Sequence, residues 1–566
     1  MNKRTFLITL IFWSFRQLVF AQISDVALLT VKPMLYKKTE FNISLKAQWV
    51  NPYFQQDIAL DIVFTTPSGK KLTLPCYYDS GRSGEKSLWK ARFAPQEKGR
   101  YRYAATLREG ANLISTSKTA NFIVKPSDGN GILHVKNNWV MQFDNGKPFR
   151  GLGENIGWES RASDDSKFFK ALHEDSKYNY EYMLRSLASH GGNFFRTWIA
   201  AFNLPVDWQK PVNSNRYKAS DDYFNPSAIV KMDRLVVLCD SLHLHMMLTL
   251  GQGAFSVRTG GFSPTSADFF VNPKSKQRYK DRLRYFIARW GYSPAIGVWE
   301  LFNEVDNVQF ANKTKPISPD SIVQWHNEMS TYLKKSDPFG HPVTTSISHR
   351  DLKGLNTLPN IDINQKHIYK NTASIPKNIE SYENDFHKPY VIGEYSYEWD
   401  WSKNFDDFAP EMDSDYKRGL WYGLFSPTPI LPMSWWWEYF DNRKTDIYLA
   451  RVRLIMNKML SAGSGNFEKV PVKDSDTSVI DYSVKCGDKI FVYVFNPITK
   501  PTEINLTLSQ SFPDYDLVVY NCENGLYQSV GKGQLIAGKP VINNWPLAAQ
   551  TDAIFILSKK STKKSL

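Results

Sequence analysis

Eight short apolar runs separated by helix-length inserts occupy residues 148 to 437, and no other feature limits the fold as strongly. The runs are 148–153, 193–198, 245–250, 297–304, 342–347, 363–369, 389–394 and 431–437. The inserts carry helical signals. Between 178 and 190, Tyr180, Met183, Leu184 and Leu187 fall on one face, and Gly191-Gly192 stops the pattern. Asn225-Pro226 opens a second helix whose Ile229, Met232, Leu235, Val236 and Cys239 form an apolar stripe. Strands alternating with helices predict a parallel sheet, and eight such units predict a (β/α)8 barrel.

Two of the runs end in a carboxylate. Gly297-Val298-Trp299-Glu300-Leu301-Phe302-Asn303-Glu304 passes from apolar residues into an amide and an acid, and Pro389-Tyr390-Val391-Ile392-Gly393-Glu394 repeats the design. A βα unit takes about thirty residues, so the ninety residues from Glu304 to Glu394 place the two acids on strands four and seven. Strand C-terminal ends are where this fold puts its chemistry, so both carboxylates are expected to face one mouth from opposite sides. Two carboxyls so placed fit general acid and nucleophile duties. The competing reading is a pair of core glutamates held in salt bridges.

The stretch Trp299 to Glu304, followed by Ile392-Gly393-Glu394, resembles clan A of the glycoside hydrolases, retaining (β/α)8-barrel glycosidases of which family 5 is the nearest in feel. The resemblance covers residues 130 to 460 and implies Glu304 as acid/base and Glu394 as nucleophile. Mutual repulsion then predicts a raised pKa for Glu304. The resemblance also implies Asn303 as a hydrogen-bond partner of the sugar 2-hydroxyl. Arg196, ending strand two, would brace Glu394 or pair with Glu300, and the two are compatible. His367 and Tyr369 match a His-x-Tyr after strand six, His367 touching sugar and Tyr369 donating to Glu394. Trp435 and Trp437, expected on one face of strand eight, would floor a sugar subsite, and Trp158 and Trp198 would line others or be ordinary loop aromatics. Glu398, Asp400 and Trp401 form an acidic aromatic loop suited to shaping access. Such catalysis needs no cofactor, and no metal-ligand spacing is present.

The flanks read differently. From 22 to 126 the pattern alternates with period two, as in Phe41-Asn42-Ile43-Ser44-Leu45, and predicts a β-sandwich resembling the immunoglobulin-like domain that precedes such barrels. The barrel is expected over 127–462 and a second β-sandwich over 463–566. Lys3-Arg4, an apolar run from Phe6 to Phe15 and Ala21-Gln22 predict a signal peptide over 1–21 and a secreted or periplasmic protein. No cysteine near that site supports a lipid anchor, and no run predicts stable membrane insertion. Removing Lys3, Arg4 and Arg16 lowers the net charge from +14 to +11, a moderate excess with no nucleic-acid motif. The 17 tryptophans and 29 tyrosines suit stacking on the apolar face of a pyranose, or a large core. The expected partner is a polysaccharide or oligosaccharide. An endo-acting enzyme of cellulase or mannanase type leads, with an exo-acting galactosidase or uronidase, or a silent carbohydrate-binding protein, as alternatives. Cys486 and Cys522 share the last domain, where an exported protein could pair them.

Overall fold

The computed structural model describes residues 21–257, 260–310, 314–397, 402–474 and 478–560. The expected signal peptide lies outside them apart from residue 21, as does the loop of Glu398, Asp400 and Trp401. Seven strands form one parallel sheet in chain order: Gly153–Asn155, Phe194–Trp198, His245–Thr249, Ile296–Glu300, Val343–Ile347, Ile363–Tyr369 and Tyr390–Ser396. Residues 429–435 close the circle. Leu431 N–H donates to Gly151 and Asn155 N–H to Ser434 on one side; Met433 N–H donates to Ile392 and Trp435 N–H to Tyr395 on the other. The chain therefore folds as a (β/α)8 barrel flanked by β-sandwich layers. Its eighth position is irregular because Pro429 and Pro432 have no N–H to offer a ladder.

Three sequence expectations need correction. Strand one starts at Gly153, not at 148. Pro148–Phe149 instead pairs with Met141–Phe143 in a small antiparallel sheet with Leu133–Val135. That sheet plugs the barrel floor: Leu133, Met141, Phe143 and Phe149 pack with the inward Phe194, Met247, Val298, Ile363 and Val391. Strand four ends at Glu300, four residues before Glu304. Trp437 does not lie on strand eight but opens the helix Trp437–Arg443, after Trp436 turns the chain at φ 68°.

Along strands two, three and four the inward side chains change character in one step of two residues. Phe194 gives way to Arg196, Met247 to Thr249 and Val298 to Glu300, so an apolar floor carries a polar mouth. The pairing slips by one residue at Gly297 on strand four and at Gly393 on strand seven. Without the second slip Glu394 would share the outward face of Ile392.

The N-terminal layers pair Gln22–Leu28, Thr39–Lys46, Lys86–Phe93 and Tyr77–Ser80 against Lys71–Pro75, Ala59–Thr65, Gly99–Glu109 and Asn112–Thr116. Phe64 and Phe93 stack across them at 4.1 Å. This unit is tied to the barrel through Asp233, which accepts from Arg92, Arg289 and the Trp290 indole at 3.0, 2.7 and 2.8 Å. At the other end, six- and four-stranded sheets are built from strands between Phe467 and Lys559. Lys417 of the barrel reaches Asp552 there at 3.2 Å. Cys486 and Cys522 are buried, unbonded thiols in that region. Among the described residues no helix is long and apolar enough to cross a membrane.

Candidate active site

Arg196 organises the mouth. It is fully buried and all five of its N–H donors are used. Nε and Nη2 hold Glu300 at 2.6 and 2.8 Å, and the second Nη2 hydrogen goes to Asn303 Oδ1 at 2.6 Å. Nη1 serves Glu394 Oε1 at 2.6 Å and Asn155 Oδ1 at 3.2 Å. Arg196 thus makes both contacts that the sequence left open. Desolvation alone would weaken its charge, but Glu300 and Glu394 outweigh that and hold it protonated. Removing a partner from such a buried cluster typically costs about 3–5 kcal/mol.

Glu394 is enclosed. Its second oxygen accepts from the Tyr369 hydroxyl at 2.5 Å and lies 3.4 Å from His367 Nδ1. Burial and the charge of Glu394 push the Tyr369 phenol well up, so Tyr369 stays a donor. Gly393 makes the enclosure possible. A Cβ there would stand 2.1 Å from Gln365 Oε1 and 3.0 Å from His367 Nε2.

Glu304 is the more open acid, with 22% of its side chain exposed against 5% for Glu394. Its backbone is left-handed, φ 49° and ψ 53°, a conformation that costs a non-glycine residue about 1–3 kcal/mol. The Ser346 hydroxyl accepts from its N–H at 2.9 Å, and Asn307 donates to its carboxylate at 3.0 Å. A carboxylate oxygen of Glu304 and one of Glu394 come within 4.8 Å of each other, with His367 Nδ1 in the same group. These three are the one set among the described residues close enough to share a cation, though His367 Nδ1 already lies 2.7 Å from Glu304.

The proton balance is the reverse of the expected one. Burial raises Glu304, but the hydrogen bond and charge of His367, with Arg196 and His349 behind them, hold it below the usual carboxylate range. Burial pushes Glu394 up, and the charge of Glu304 adds to this against His367, Arg196 and Tyr369. His367 contacts both acids, where contact with sugar was expected.

The four tryptophans come together. Trp158 lies 5.2 Å from Trp198, 5.4 Å from Trp435 and 5.0 Å from Trp437, nearly edge to face with the last. Trp198 and Trp435 are 5.2 Å apart at 38°. All four are largely buried. Gly157 leaves room for them, since a Cβ would meet Trp437 at 3.0 Å and Trp435 at 3.3 Å. Asn155 was missed in sequence. It bridges Arg196 to the carbonyls of Gly393 and Ser434 at 2.9 and 3.0 Å, and a polar residue in Gly153-Glu154-Asn155 signals it once strand one is correctly placed.

Comparison with known proteins bears on this geometry. Residues 32–108 match the model of a domain of unknown function, DUF5060. Mannan endo-1,4-β-mannosidase A of Podospora anserina is 24% identical over 250 residues, which cover 38% of this chain and 64% of the relative. A probable mannan endo-1,4-β-mannosidase C of Aspergillus terreus is 31% identical over 171 residues, 29% of this chain and 40% of that one. The chain thus spans less than two thirds of either relative. A crystal structure from Bacteroides vulgatus, provisionally assigned as a glycoside hydrolase, superposes with a TM-score of 0.64 at 16% identity, over 93% of this chain and 99% of its own. The chain is therefore similar in sequence to mannan endo-1,4-β-mannosidases and in fold to a structure assigned to the glycoside hydrolases.

Proposed function

We propose that this protein is a retaining β-glycoside hydrolase, exported from the cell, that cleaves the backbone of a β-1,4-linked polysaccharide of mannan type. The observation that carries this reading is the approach of Glu304 and Glu394 within 4.8 Å over the Arg196 cluster. Retaining pairs stand about 5–5.5 Å apart, whereas inverting pairs leave about 6.5–9.5 Å for a water. The likeness to mannan endo-1,4-β-mannosidases supports the substrate and the endo mode. Lys3-Arg4 and the apolar run behind them support export.

In the first step Glu394 attacks the anomeric carbon while Glu304 protonates the departing oxygen. Arg196 and Tyr369 grip the two oxygens of Glu394 and fix its line of attack. Asn303 has its carbonyl oxygen turned to Arg196, so its amide N–H is left for the sugar 2-hydroxyl, a contact that tightens in the transition state. Having given its proton to the leaving group, Glu304 is a carboxylate; ester formation removes the charge of Glu394 that would oppose this, and Glu304 draws a proton from water for the second step. The productive state needs one proton on Glu304 and none on Glu394. His367 Nδ1 lies within reach of both acids, 2.7 Å from Glu304 and 3.4 Å from Glu394.

Chemical rescue separates the two roles. Glu304→Ala should retain its first step on a dinitrophenyl β-glycoside, whose leaving group needs little protonation, and azide should restore turnover with a β-glycosyl azide as product. Glu394→Gly with azide should give the α-glycosyl azide. The two products exchanged between the variants would reverse the assignment.

A further inference from the structure

Glu304 lies beyond the end of strand four, and its left-handed backbone is fixed from outside its own strand. Such a conformation persists in a non-glycine residue only where the surroundings over-determine it. The chain at and after strand five supplies that hold. Ser346, within the strand, takes the Glu304 N–H at 2.9 Å. The residues just past the strand are gripped by Asp306, which sits on the short helix Val305–Val308 and is fully buried. Asp306 Oδ1 accepts from the Ser348 N–H at 2.7 Å, and Oδ2 accepts from the N–H groups of His349 and Arg350, each at 3.0 Å. Successive backbone N–H groups converging on one anion form a nest, and a charged acceptor strengthens each bond.

The grip is returned from the loop. Arg350 Nη2 donates to the Asp306 carbonyl oxygen at 3.0 Å and to Asn307 Oδ1 at 3.3 Å, and its guanidinium lies over the Phe310 ring at 4.8 Å. Asn307 then passes the hold to the acid itself, because its Nδ2 donates to Glu304 Oε2 at 3.0 Å. The other carboxylate oxygen, Oε1, is 2.7 Å from His367 Nδ1. With a different partner on each oxygen, the plane of the Glu304 carboxylate is set. One side of that setting comes from strand six and the other from the Asp306 clamp. The clamped loop also carries His349, whose charge helps hold Glu304 low.

We infer that Asp306 is a positioning residue for proton transfer at Glu304: by locking the loop after strand five onto the turn at 304–307, it aims the Glu304 carboxyl at the departing glycosidic oxygen. The inference rests on the hydrolase reading of Glu304 and Glu394. It makes a demand that a purely structural clamp does not. Loss of aim harms the first step only in so far as the leaving group needs a proton, so the damage should depend on the leaving group.

The test compares kcat/KM, which reports the first step, on β-1,4-mannan and on a dinitrophenyl β-mannobioside. Asp306→Asn keeps the side-chain size but offers one acceptor oxygen and turns an NH2 group toward backbone N–H donors. It should lose about 10²-fold on mannan and less than about threefold on the aryl glycoside. Azide, which needs no general base, should raise the variant's kcat on the aryl substrate. Arg350→Ala alters an exposed side chain and keeps the test open should the buried change disturb folding. It should show the same selectivity at several-fold size. Equal losses on the two substrates, or full activity on mannan in a folded Asp306→Asn, would overturn the assignment. So would an Arg350→Ala without selectivity where Asp306→Asn fails to fold. A parent protein inert toward both substrates would overturn the hydrolase reading and this assignment with it, whereas an active parent with equal losses in its variants overturns this assignment alone.

Discussion

Two carboxylates become an acid and a nucleophile only when their surroundings hold protons unequally. Here burial raises both acids, and one ring opposes it at each: His367 Nδ1 lies 2.7 Å from Glu304 and 3.4 Å from Glu394, and it acts to lower both. Its removal leaves burial, which raises both, with less opposition. The sign follows directly. In His367→Gln both limbs of the kcat/KM profile should move to higher pH, with kcat reduced about 10²-fold as the contact that holds both acids is lost. A profile that stays in place or moves to lower pH contradicts this role. At this scale the sequence was informative about which residues meet but not about their charges. The two glutamates could be placed because strand ends converge in a barrel, whereas Asn303, Arg196 and Tyr369 could be named only through the resemblance to clan A. The order of the two pKa values could not, because it depends on the angle of the His367 ring and on the left-handed turn that places Glu304.

Among the elements, strand seven shows how little backbone separates a working site from an idle one. The slip at Gly393 turns Glu394 from the outward to the inward face, and only a hydrogen fits where Gln365 and His367 close in. Gly393→Ala should therefore lower kcat by at least about tenfold through displacement of Glu394 or His367, and destabilise by about 1–3 kcal/mol through overpacking. Unchanged kinetics with a lowered melting temperature would show that the slip is structural only. Five of the eight barrel positions were readable within about two residues, the usual limit for element ends, and strand four was read four residues too long. Strand one was displaced because Pro148-Phe149 is as apolar as a barrel strand yet serves the plug. Strand eight was read as regular because three tryptophans look like a buried run, whereas Trp436 at φ 68° ends the extended backbone. The slips themselves leave a trace in sequence, a glycine inside each strand, which strand-pattern reading does flag as a bulge.

The whole molecule behaves as a barrel clamped between two β units, and its weakness should lie on the acid side. Burial pulls His245, under the barrel floor, and His326, on the helix Pro319–Ser336, down to about 4. Unfolded, each binds a proton near pH 6.5, so stability present above that pH is lost as pH falls toward 4, on the order of 3 kcal/mol for each residue. Melting temperatures should fall steeply over that window, and His326→Gln should flatten the fall; a parent protein equally stable at pH 7 and pH 4.5 contradicts this. Catalysis is the claim that joins all three scales, because the residues of the Arg196 cluster, the slipped strand and the closed barrel together set the spacing of Glu304 and Glu394. It is tested most directly by proton NMR of the first product released from β-1,4-mannan. The account predicts the β-anomer first, with the α-anomer growing in only by mutarotation. An initial α-anomer, or no new reducing end at all, would contradict it.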